Sequence, residues 1–270
     1  IMTTLEIIGT GGIIEGNLDD AIINVNLDPV ITLSGADYLT ATTANFRSAD
    51  YRGCISAWVK TSAAGAQVVF AAADTATTNY AHMVYIANGY IYAEHIDSSV
   101  IYSIRGGSQI HDGSWHHIAV GSTGSSIVIY LDGIAETLTV ASGTNNGDWF
   151  NDITGTDKTD NITIGTLTRT SSGSYFNGSI TDVRYYNDFL AADMPILASK
   201  MQVDDSLTSL QAIHHWPLNS ATISTSGLGD CVGSATAIDL TPTNIVAGDF
   251  DYDAFSVNVQ DNTTTTDGAV

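Results

Sequence analysis

Acidic side chains are the first residues in this sequence that could do chemistry. The chain carries 29 acidic residues against 8 basic ones, and only four of the acids are Glu. Hydrolysis of a glycosidic bond needs two carboxyl groups on either side of that bond, roughly 5–10 Å apart. The Asp pairs at 19–20 and 204–205, and the acids at 249, 251 and 253, all fall in loop-like stretches. The acids therefore do not predict a glycoside hydrolase, and we expect no catalytic residue.

Two pairs of adjacent histidines, His116–His117 and His214–His215, have side chains that could bind a metal. Neighbouring residues in a strand point to opposite faces of the sheet, so neither pair can hold one ion jointly without a bulge. We expect these histidines to have a packing role.

Aromatic residues matter because sugar rings stack on exposed aromatic rings. Trp149–Phe150 and Tyr175–Phe176 each flank a loop-like segment and are the candidate ligand-binding residues. The alternative is that these four rings pack at the rim of the fold.

The overall charge excludes some partners. The formal net charge is −21 and the pI is about 4.1. Such a surface repels nucleic acid and anionic membranes. Residues 1–12 lack the basic start and apolar run of an export signal, and no stretch approaches the roughly 20 apolar residues of a membrane span. We expect neither an export signal in this stretch nor a membrane span.

Hydrophobic periodicity predicts β-strands through most of the chain. Ile55, Ala57 and Val59 alternate with more polar neighbours, and the stretch around Ile127 and Ile129 repeats the pattern. Asn-Gly at 88–89 and Asp-Gly at 132–133 separate such runs and favour type I′ hairpins. One helix is predicted at 191–203, with Met194, Leu197, Ala198 and Met201 on one face and Pro195 in its first turn. The fold class is an all-β, antiparallel two-sheet sandwich with one short helix.

Five stretches resemble the laminin-G-like family of concanavalin A-type jelly rolls. They are the strand 53–60 (GCISAWVK), the segment 112–120 (DGSWHHIAV), the hairpin 127–133 (IVIYLDG) and the closing segments 161–165 (NITIG) and 176–187 (FNGSITDVRYYN). The resemblance covers about residues 30–200 in the family's order and spacing.

The stretch 213–219 (IHHWPLN) resembles the opening strand of such domains but follows the closing one. We therefore expect an N-terminal arm at 1–29, a sandwich at 30–259 to which 213–243 adds a strand, as in a permuted fold, and a tail at 260–270. A truncated second repeat is the alternative, but about 50 residues are too few for another sandwich. Cys54 and Cys231 fit no metal spacing, and we expect two buried thiols without a disulfide between them.

The resemblance also implies a calcium ion at the rim of the sandwich, held by loop oxygens. Ca²⁺ takes six to eight oxygen ligands. The candidates are Asp74 with Asn79, and Asp157 with Asp160 and Asn161, although no strict motif is present. No other cofactor is expected.

The resemblance and the composition together predict a non-enzymatic protein that presents a surface. The leading hypothesis is a structural or adhesive component of a bacteriophage particle, contacting copies of itself, other virion proteins and host-surface glycans, and located on the virion surface. The alternative is a secreted or cell-surface bacterial carbohydrate-binding module. A glycoside hydrolase is the third hypothesis.

Overall fold

The structure is a computed structural model, and residue contacts divide it into two compact units. The larger unit is Pro29–Asp251, and the smaller one combines residues 1–28 with 252–270. The expected division into an arm at 1–29, a sandwich at 30–259 and a tail at 260–270 stays a prediction. The structure describes residues 21–44, 46, 49–153, 159–201, 203, 205–218 and 237–261.

Sheet I is one of two large sheets, with strands numbered in chain order. Its strand order is β10-β9-β8-β3-β15-β1-β18, and β16 also pairs with β15. The strands are β1 (Ala21–Leu33), β3 (Gly53–Lys60), β8 (Trp115–Ser122), β9 (Ile127–Leu131), β10 (Ile134–Ala135), β15 (Gly178–Tyr186), β16 (His214–Trp216) and β18 (Phe250–Asp261).

Sheet II has the order β11-β7-β6-β5-β4-β12-β2-β17. Two further strands, β13 (Leu167–Thr168) and β14 (Ser172–Gly173), form a small antiparallel hairpin. The strands of sheet II are β2 (Tyr38–Thr42), β4 (Gln67–Ala73), β5 (Ala81–Ala87), β6 (Tyr90–Asp97), β7 (Val100–Gln109), β11 (Thr139–Ser142), β12 (Asn161–Ile164) and β17 (Thr241–Thr243).

The core of the larger unit lies between the inner faces of the two sheets. Ile55 and Val59 of β3 and Ile127 and Ile129 of β9 are all buried in it, as the alternating pattern predicted. The fold class, an antiparallel β-sandwich with one short α-helix, is confirmed. None of the helices in the described part of the chain is long and apolar enough to cross a bilayer.

The two hairpins predicted from Asn-Gly and Asp-Gly are present. Asn88 and Gly89 have φ values of 49° and 80°, and Asp132 and Gly133 have 49° and 79°. Positive φ at both central residues is the type I′ geometry, whose twist matches that of the flanking strands. The first hairpin joins β5 to β6, which matters for the site described below.

The helix is shorter than the predicted 191–203. A 3₁₀ turn at Ala191–Asp193 leads into α1, Met194–Leu197, and Pro195 lies in its first turn as expected. The amide of Ser199 bonds to the carbonyl oxygen of Ile196 at 3.0 Å, the three-residue spacing of a 3₁₀ turn that tightens the end of a helix. Met194 and Leu197 are buried, whereas Met201 lies after the helix. The helix therefore ends at Leu197, which packs against sheet I, although the apolar pattern in the sequence continues to Met201.

The outer face of sheet I is covered by the segment 187–213. A second hydrophobic cluster fills the space under this segment; its members are Cys54, Ala119, Tyr186, Met194, Leu197, Val203, Leu210 and Ala212. Cys54 is a free, buried thiol, as expected, while Cys231 lies outside the described residues.

The segment around residues 213–243 supplies strands to both sheets. β16 pairs with β15, placing Trp216 opposite Val183, and β17 pairs with β2, placing Pro242 opposite Leu39. The Trp216 indole is fully buried, and its Nε1–H donates to the carbonyl oxygen of Ile238 at 2.8 Å. Residues that follow the closing strand β15 in sequence, such as Trp216 and Ile238, thus form part of the core.

Candidate functional site

The outer face of sheet II carries a group of half-exposed aromatic and charged side chains. Period-2 alternation directs Tyr85 on β5, Tyr90, Tyr92 and Glu94 on β6, and Arg105 on β7 away from the core. We call these five residues the tyrosine–arginine face.

Strand register places three of these side chains in one row across the sheet, with Tyr90 and Glu94 on either side of Tyr92 along β6. Tyr85 is the cross-strand partner of Tyr92, and Tyr92 is the partner of Arg105. The rings of Tyr85 and Tyr92 stack with centroids 4.8 Å apart and planes 10° apart. Cross-strand neighbours of this kind hold each other in place, so the face is rigid without any ligand.

Charged groups flank the two stacked rings. The Tyr85 hydroxyl donates to Glu94 Oε2 at 3.0 Å. The Arg105 guanidinium lies over the Tyr90 ring, with its Cζ atom 4.2 Å from the ring centroid. Burial, followed by the Glu94 carboxylate, raises the pKa of Tyr85, so the phenol keeps its proton and can donate. The face thus offers aromatic surface, a cation, a carboxylate and a hydroxyl on three neighbouring strands.

A bulge beside Arg105 is fixed by Glu136. The register between β6 and β7 jumps between Tyr90 and Tyr92, which displaces the residues following Arg105. Glu136 Oε2 accepts hydrogen bonds from the amides of Gly107 and Ser108 at 2.8 and 2.7 Å. Bulges often re-aim side chains next to binding sites. The Glu136 carboxylate therefore stabilises the bulge in β7.

The other side of the tyrosine–arginine face meets a small apolar patch under the β13–β14 hairpin. Met83 and Ile96 lie in this patch with Leu167 of the hairpin, and Tyr85 packs against it. Arg169, in the hairpin loop, donates to the carbonyl oxygen of Thr78 at 3.0 Å. The face is therefore bordered by the hairpin on one side and by the bulge on the other.

Three of the four aromatic residues predicted to bind a ligand lie inside the core. Trp149, Phe150 and Phe176 have 0%, 2% and 0% of their surface exposed. A sugar ring cannot stack on a ring with no exposed face, so for these three the packing role is correct. Trp149 also helps to explain Gly53, where a Cβ would lie 2.5 Å from the carbonyl oxygen of Tyr186 and 2.7 Å from the indole Nε1. Tyr175 keeps some exposed surface beside Tyr38.

The structure brings part of the predicted calcium set together at one end of sheet II. Asp160 accepts hydrogen bonds from the amide and hydroxyl of Thr75, next to Asp74. Asp74 in turn accepts from the amide of Ala76 at 2.8 Å. These carboxylates hold the turn after β4, so their oxygens already have donors.

The remaining calcium candidates differ from one another in how they are bonded. Asn79 Oδ1 accepts from the Ser99 hydroxyl at 2.8 Å. Asn161 Oδ1 is buried without a hydrogen-bond partner, which is the kind of oxygen a cation could take. Asp157 lies outside the described residues. Calcium binding at this rim stays a prediction.

The histidines of the two adjacent pairs separate, as expected for strands. His116 bonds to Asp132 Oδ2 at 2.9 Å, whereas His117 is buried and packs edge-on against Trp58. His214 stacks on Trp216 in the core, and His215 bonds to Asp182. Among the described residues, no group of three or more His, Cys, Asp or Glu side chains is already arranged to hold a metal.

A polar cleft at the start of β3 and the end of β15 is a second place where a ligand could fit. It has a volume of about 260 Å³ and is lined by Asp50, Tyr51, Arg52, Asn187 and Asp188. Arg52 and Asp188 pair with each other at 2.7 Å, so the charges there already satisfy one another. Tyr51 is 60% exposed and makes a useful control residue.

The tyrosine–arginine face was missed by the sequence analysis. Its signal was present in the alternation of Tyr90, Tyr92 and Glu94 directly after the Asn-Gly turn. Arg105 carries no such signal, because only the pairing of β6 with β7 brings it beside Tyr92.

Comparisons with known proteins support the fold. A model of the concanavalin A-like lectin/glucanases superfamily matches residues 33–194. Among solved structures, the carbohydrate-binding module CBM40 of the Ruminococcus gnavus IT-sialidase, bound to α2,3-sialyllactose, is 16% identical with a TM-score of 0.51; the match covers 64% of this chain and 99% of that one.

A second solved structure covers more of the chain. A protein of Bacteroides ovatus, assigned provisionally to carbohydrate binding, is 13% identical with a TM-score of 0.57; the match covers 87% of this chain and 60% of that one. No curated protein sequence matches the chain at a significant level.

Proposed function

The chain belongs to the concanavalin A-like lectin/glucanases superfamily, and we propose that it is a non-enzymatic carbohydrate-binding protein that holds a glycan on its tyrosine–arginine face. The observation that carries this proposal is the stacked Tyr85–Tyr92 pair, flanked by Arg105 and Glu94 on three adjacent strands. Tyrosine offers a large, stiff surface with few rotatable bonds, so little conformational entropy is lost on binding.

Each group on the face has a role in holding a sugar. The apolar face of a pyranose packs against the tyrosine rings, while its hydroxyls bond to Glu94 and Arg105. Because the residues sit on strands, the face needs little rearrangement on binding. Arg105 supplies local positive charge in an otherwise acidic chain, which favours a glycan bearing a carboxylate. The relatives whose descriptions mention carbohydrate support a sugar ligand.

The acids on and beside this face support binding over hydrolysis. A glycosidase needs two carboxyl groups positioned across one bond. Glu94 accepts from Tyr85, and Glu136 accepts from the backbone of the bulge. Both oxygens of Glu136 are thus taken up by structural hydrogen bonds, which leaves Glu94 as the one carboxylate of the face that can accept from sugar hydroxyls. We therefore expect no hydrolysis of any glycan that binds.

A glycan array followed by calorimetry tests the proposal. We expect wild-type protein to bind a subset of glycans, and Tyr92→Ala to weaken that binding at least tenfold, since removing an anchoring ring typically costs more than 1 kcal/mol. Tyr51→Ala is the matched control, because it removes an exposed tyrosine at the polar cleft instead. If Tyr51→Ala lost glycan binding and Tyr92→Ala kept it, the glycan would bind in the polar cleft and the proposal would be wrong.

The phage role and the calcium ion are proposals that need separate experiments. Mass spectrometry of purified particles tests the first, and a particle proteome without this chain would refute it. Thermal unfolding in calcium and in chelator tests the second. A bound ion raises Tm by mass action, so an unchanged Tm would exclude a well-bound calcium.

The location and assembly of the protein also remain proposals. A glycan-binding surface suits an extracellular, cell-surface or virion location. Self-association is tested by sedimentation at several concentrations, where a monomer throughout would contradict the expected homo-oligomer.

A further inference from the structure

A second pair of half-exposed tyrosines lies on the outer face of sheet II, beyond the tyrosine–arginine face. The rings of Tyr38 and Tyr175 have centroids 6.2 Å apart and planes inclined at 41°. Tyr38 begins β2, and the next residue, Leu39, is fully buried in the core, so alternation directs Tyr38 outwards. Tyr175 follows the β13–β14 hairpin in the chain. Both tyrosines keep part of their surface exposed.

Backbone hydrogen bonds fix Tyr175 from both sides. The Val68 amide donates to the carbonyl oxygen of Ser174 at 2.9 Å. The Phe176 amide donates to the carbonyl oxygen of Gly165 at 2.8 Å, and the Phe176 ring is fully buried in the core. Tyr175 therefore lies between two anchored residues, so its ring loses little conformational freedom when a ligand binds.

Strand register relates this pair to the tyrosine–arginine face. Tyr92 is the cross-strand partner of Tyr85, and Tyr85 is the partner of Val68 on β4. The bond from Val68 to Ser174 continues the same row to the segment that carries Tyr175. Neighbouring strands are about 4.8 Å apart, so across the strands Tyr175 is about 10 Å from Tyr85 and about 14 Å from Tyr92.

The two ends of this row differ in charge. Arg105 supplies a cation at one end, next to Tyr92. At the other end Ser174 and Asn177 are exposed and neutral, and they lie on either side of Tyr175 in the chain. A serine hydroxyl and an asparagine amide can each donate to and accept from sugar hydroxyls. An acidic sugar unit therefore fits the Arg105 end, and neutral units fit the Tyr175 end.

We propose that the tyrosine–arginine face and the Tyr38–Tyr175 pair are two subsites for one linear oligosaccharide. The chain of sugars lies across the strands of sheet II, with its acidic unit at Arg105 and a neutral unit on Tyr175. This inference rests on the proposed function and names its ligand class. A single sugar cannot contact ring pairs about 10 Å apart, whereas linked units bind the second pair as an intramolecular step, which raises affinity.

A glycan array of graded lengths tests the proposal. The probes are mono- to hexasaccharides of linear series that carry one glucuronic or sialic acid at one end, with neutral series of the same lengths beside them. We expect the affinity of the wild-type protein for the acidic series to rise at least about tenfold from the monosaccharide to the tetrasaccharide. A monosaccharide that binds as tightly as the longer members would overturn the proposal.

Tyr175→Ala separates the two subsites. We expect it to lower the affinity for the tetrasaccharide about tenfold and that for the monosaccharide by less than about twofold, because the short ligand occupies only the tyrosine–arginine face. Tyr175→Phe keeps the ring and should restore most of the lost affinity. Tyr51→Ala, which removes an exposed tyrosine at the polar cleft, is the matched control and should leave the affinity for every length unchanged.

The outcomes separate the second subsite from the proposed function. If Tyr92→Ala weakens binding of every length and Tyr175→Ala weakens none, the glycan uses the tyrosine–arginine face alone and the second subsite is wrong. If Tyr92→Ala changes no affinity, or no glycan binds, the proposed function fails and the second subsite with it. If urea unfolding shows that Tyr175→Ala does not fold, Tyr38→Ala removes the other ring of the pair and makes the same comparison.

Discussion

The two outer faces of the sandwich differ in what happens to their charged side chains. On sheet I the segment 187–213 covers the face, and Arg184 and Asp182 are only 2% and 3% exposed. On sheet II the tyrosine–arginine face stays open, and Arg105 lies half-exposed over a tyrosine ring. The same scaffold thus buries its polar groups on one outer face and leaves them open on the opposite face.

The locked charges form a closed network. Asp182 Oδ1 accepts from Arg184 Nε and from His215 Nε2, both at 2.7 Å, and Arg184 also donates to the carbonyl oxygen of Val203 at 2.7 Å. Arg184 and His215 hold the pKa of Asp182 below its ordinary value against the opposing effect of burial. Because these buried groups bond to one another and to the backbone, they are not available to bind a ligand.

The largest effect is expected from breaking the network on sheet I. Asp182→Asn removes the charge that partners Arg184 while keeping a side chain that tolerates the positive φ of 55°. Removing the charge of one partner in a buried ion pair costs about 3–5 kcal/mol, so urea unfolding should show a loss of that size. Arg52→Ala, which breaks the exposed pair with Asp188, should cost under about 1 kcal/mol. Equal losses in the two variants would contradict the comparison.

The next largest effect is a dependence of the free energy of unfolding on pH, caused by His117 on sheet I. Burial lowers the pKa of His117 to about 4, against the pull of Asp182 and Asp132 and with help from Arg184. The unfolded chain binds this proton near pH 6.5 and the folded chain only near pH 4, so stability falls as the pH drops through that window. The loss attributable to His117 is about 3 kcal/mol.

The variant His117→Phe isolates that contribution, since it keeps the edge-on contact with Trp58. Its free energy of unfolding should fall less than that of wild type between pH 6.5 and 4. Parallel curves for the two proteins would show that His117 does not titrate as described.

On sheet II a charge substitution should change affinity more than stability. Arg105→Ala removes a half-exposed cation, so we expect a change in unfolding free energy below about 1 kcal/mol. Affinity for a bound glycan should fall about tenfold, and more for an acidic glycan than for a neutral one, because the guanidinium is the cation of this face. Calorimetry beside urea unfolding measures both. A large loss of stability with unchanged glycan affinity would show that Arg105 stabilises the fold and takes no part in binding.

The smallest effect is expected for Tyr85→Phe. The substitution keeps the stacked ring but removes the donor to Glu94 Oε2. Water can replace the hydroxyl at this half-exposed position, so stability should change by about 0.5–1 kcal/mol at most. A several-fold loss of glycan affinity is expected, measured on the same array as Tyr92→Ala. No change in affinity would show that the hydroxyl takes no part in binding.

The sequence predicted much of the architecture because that part is governed by local rules. Alternation in β3 and β9 and the turn chemistry of Asn88-Gly89 and Asp132-Gly133 depend on neighbours in the chain. The helix at 191–203 was drawn too long, because its end is set by the anchoring of α1 to sheet I, which the local period does not reveal.

The sites were less predictable, because each depends on the contacts between strands. Trp149 and Phe150 flank a glycine-rich loop and look exposed in the sequence, yet both turn into the core. Arg105 becomes a neighbour of Tyr92 only through the register of β6 and β7, and His82 meets His95 only through the Asn-Gly hairpin.

Side-chain periodicity and turn residues act over a few positions, so they were enough to predict two antiparallel sheets around an apolar core. Which outer face is covered, and which histidines and aromatics meet, depends on contacts between distant parts of the chain. Burial and side-chain contacts across strands depend on register and on packing between distant segments, and neither leaves a local trace in the chain.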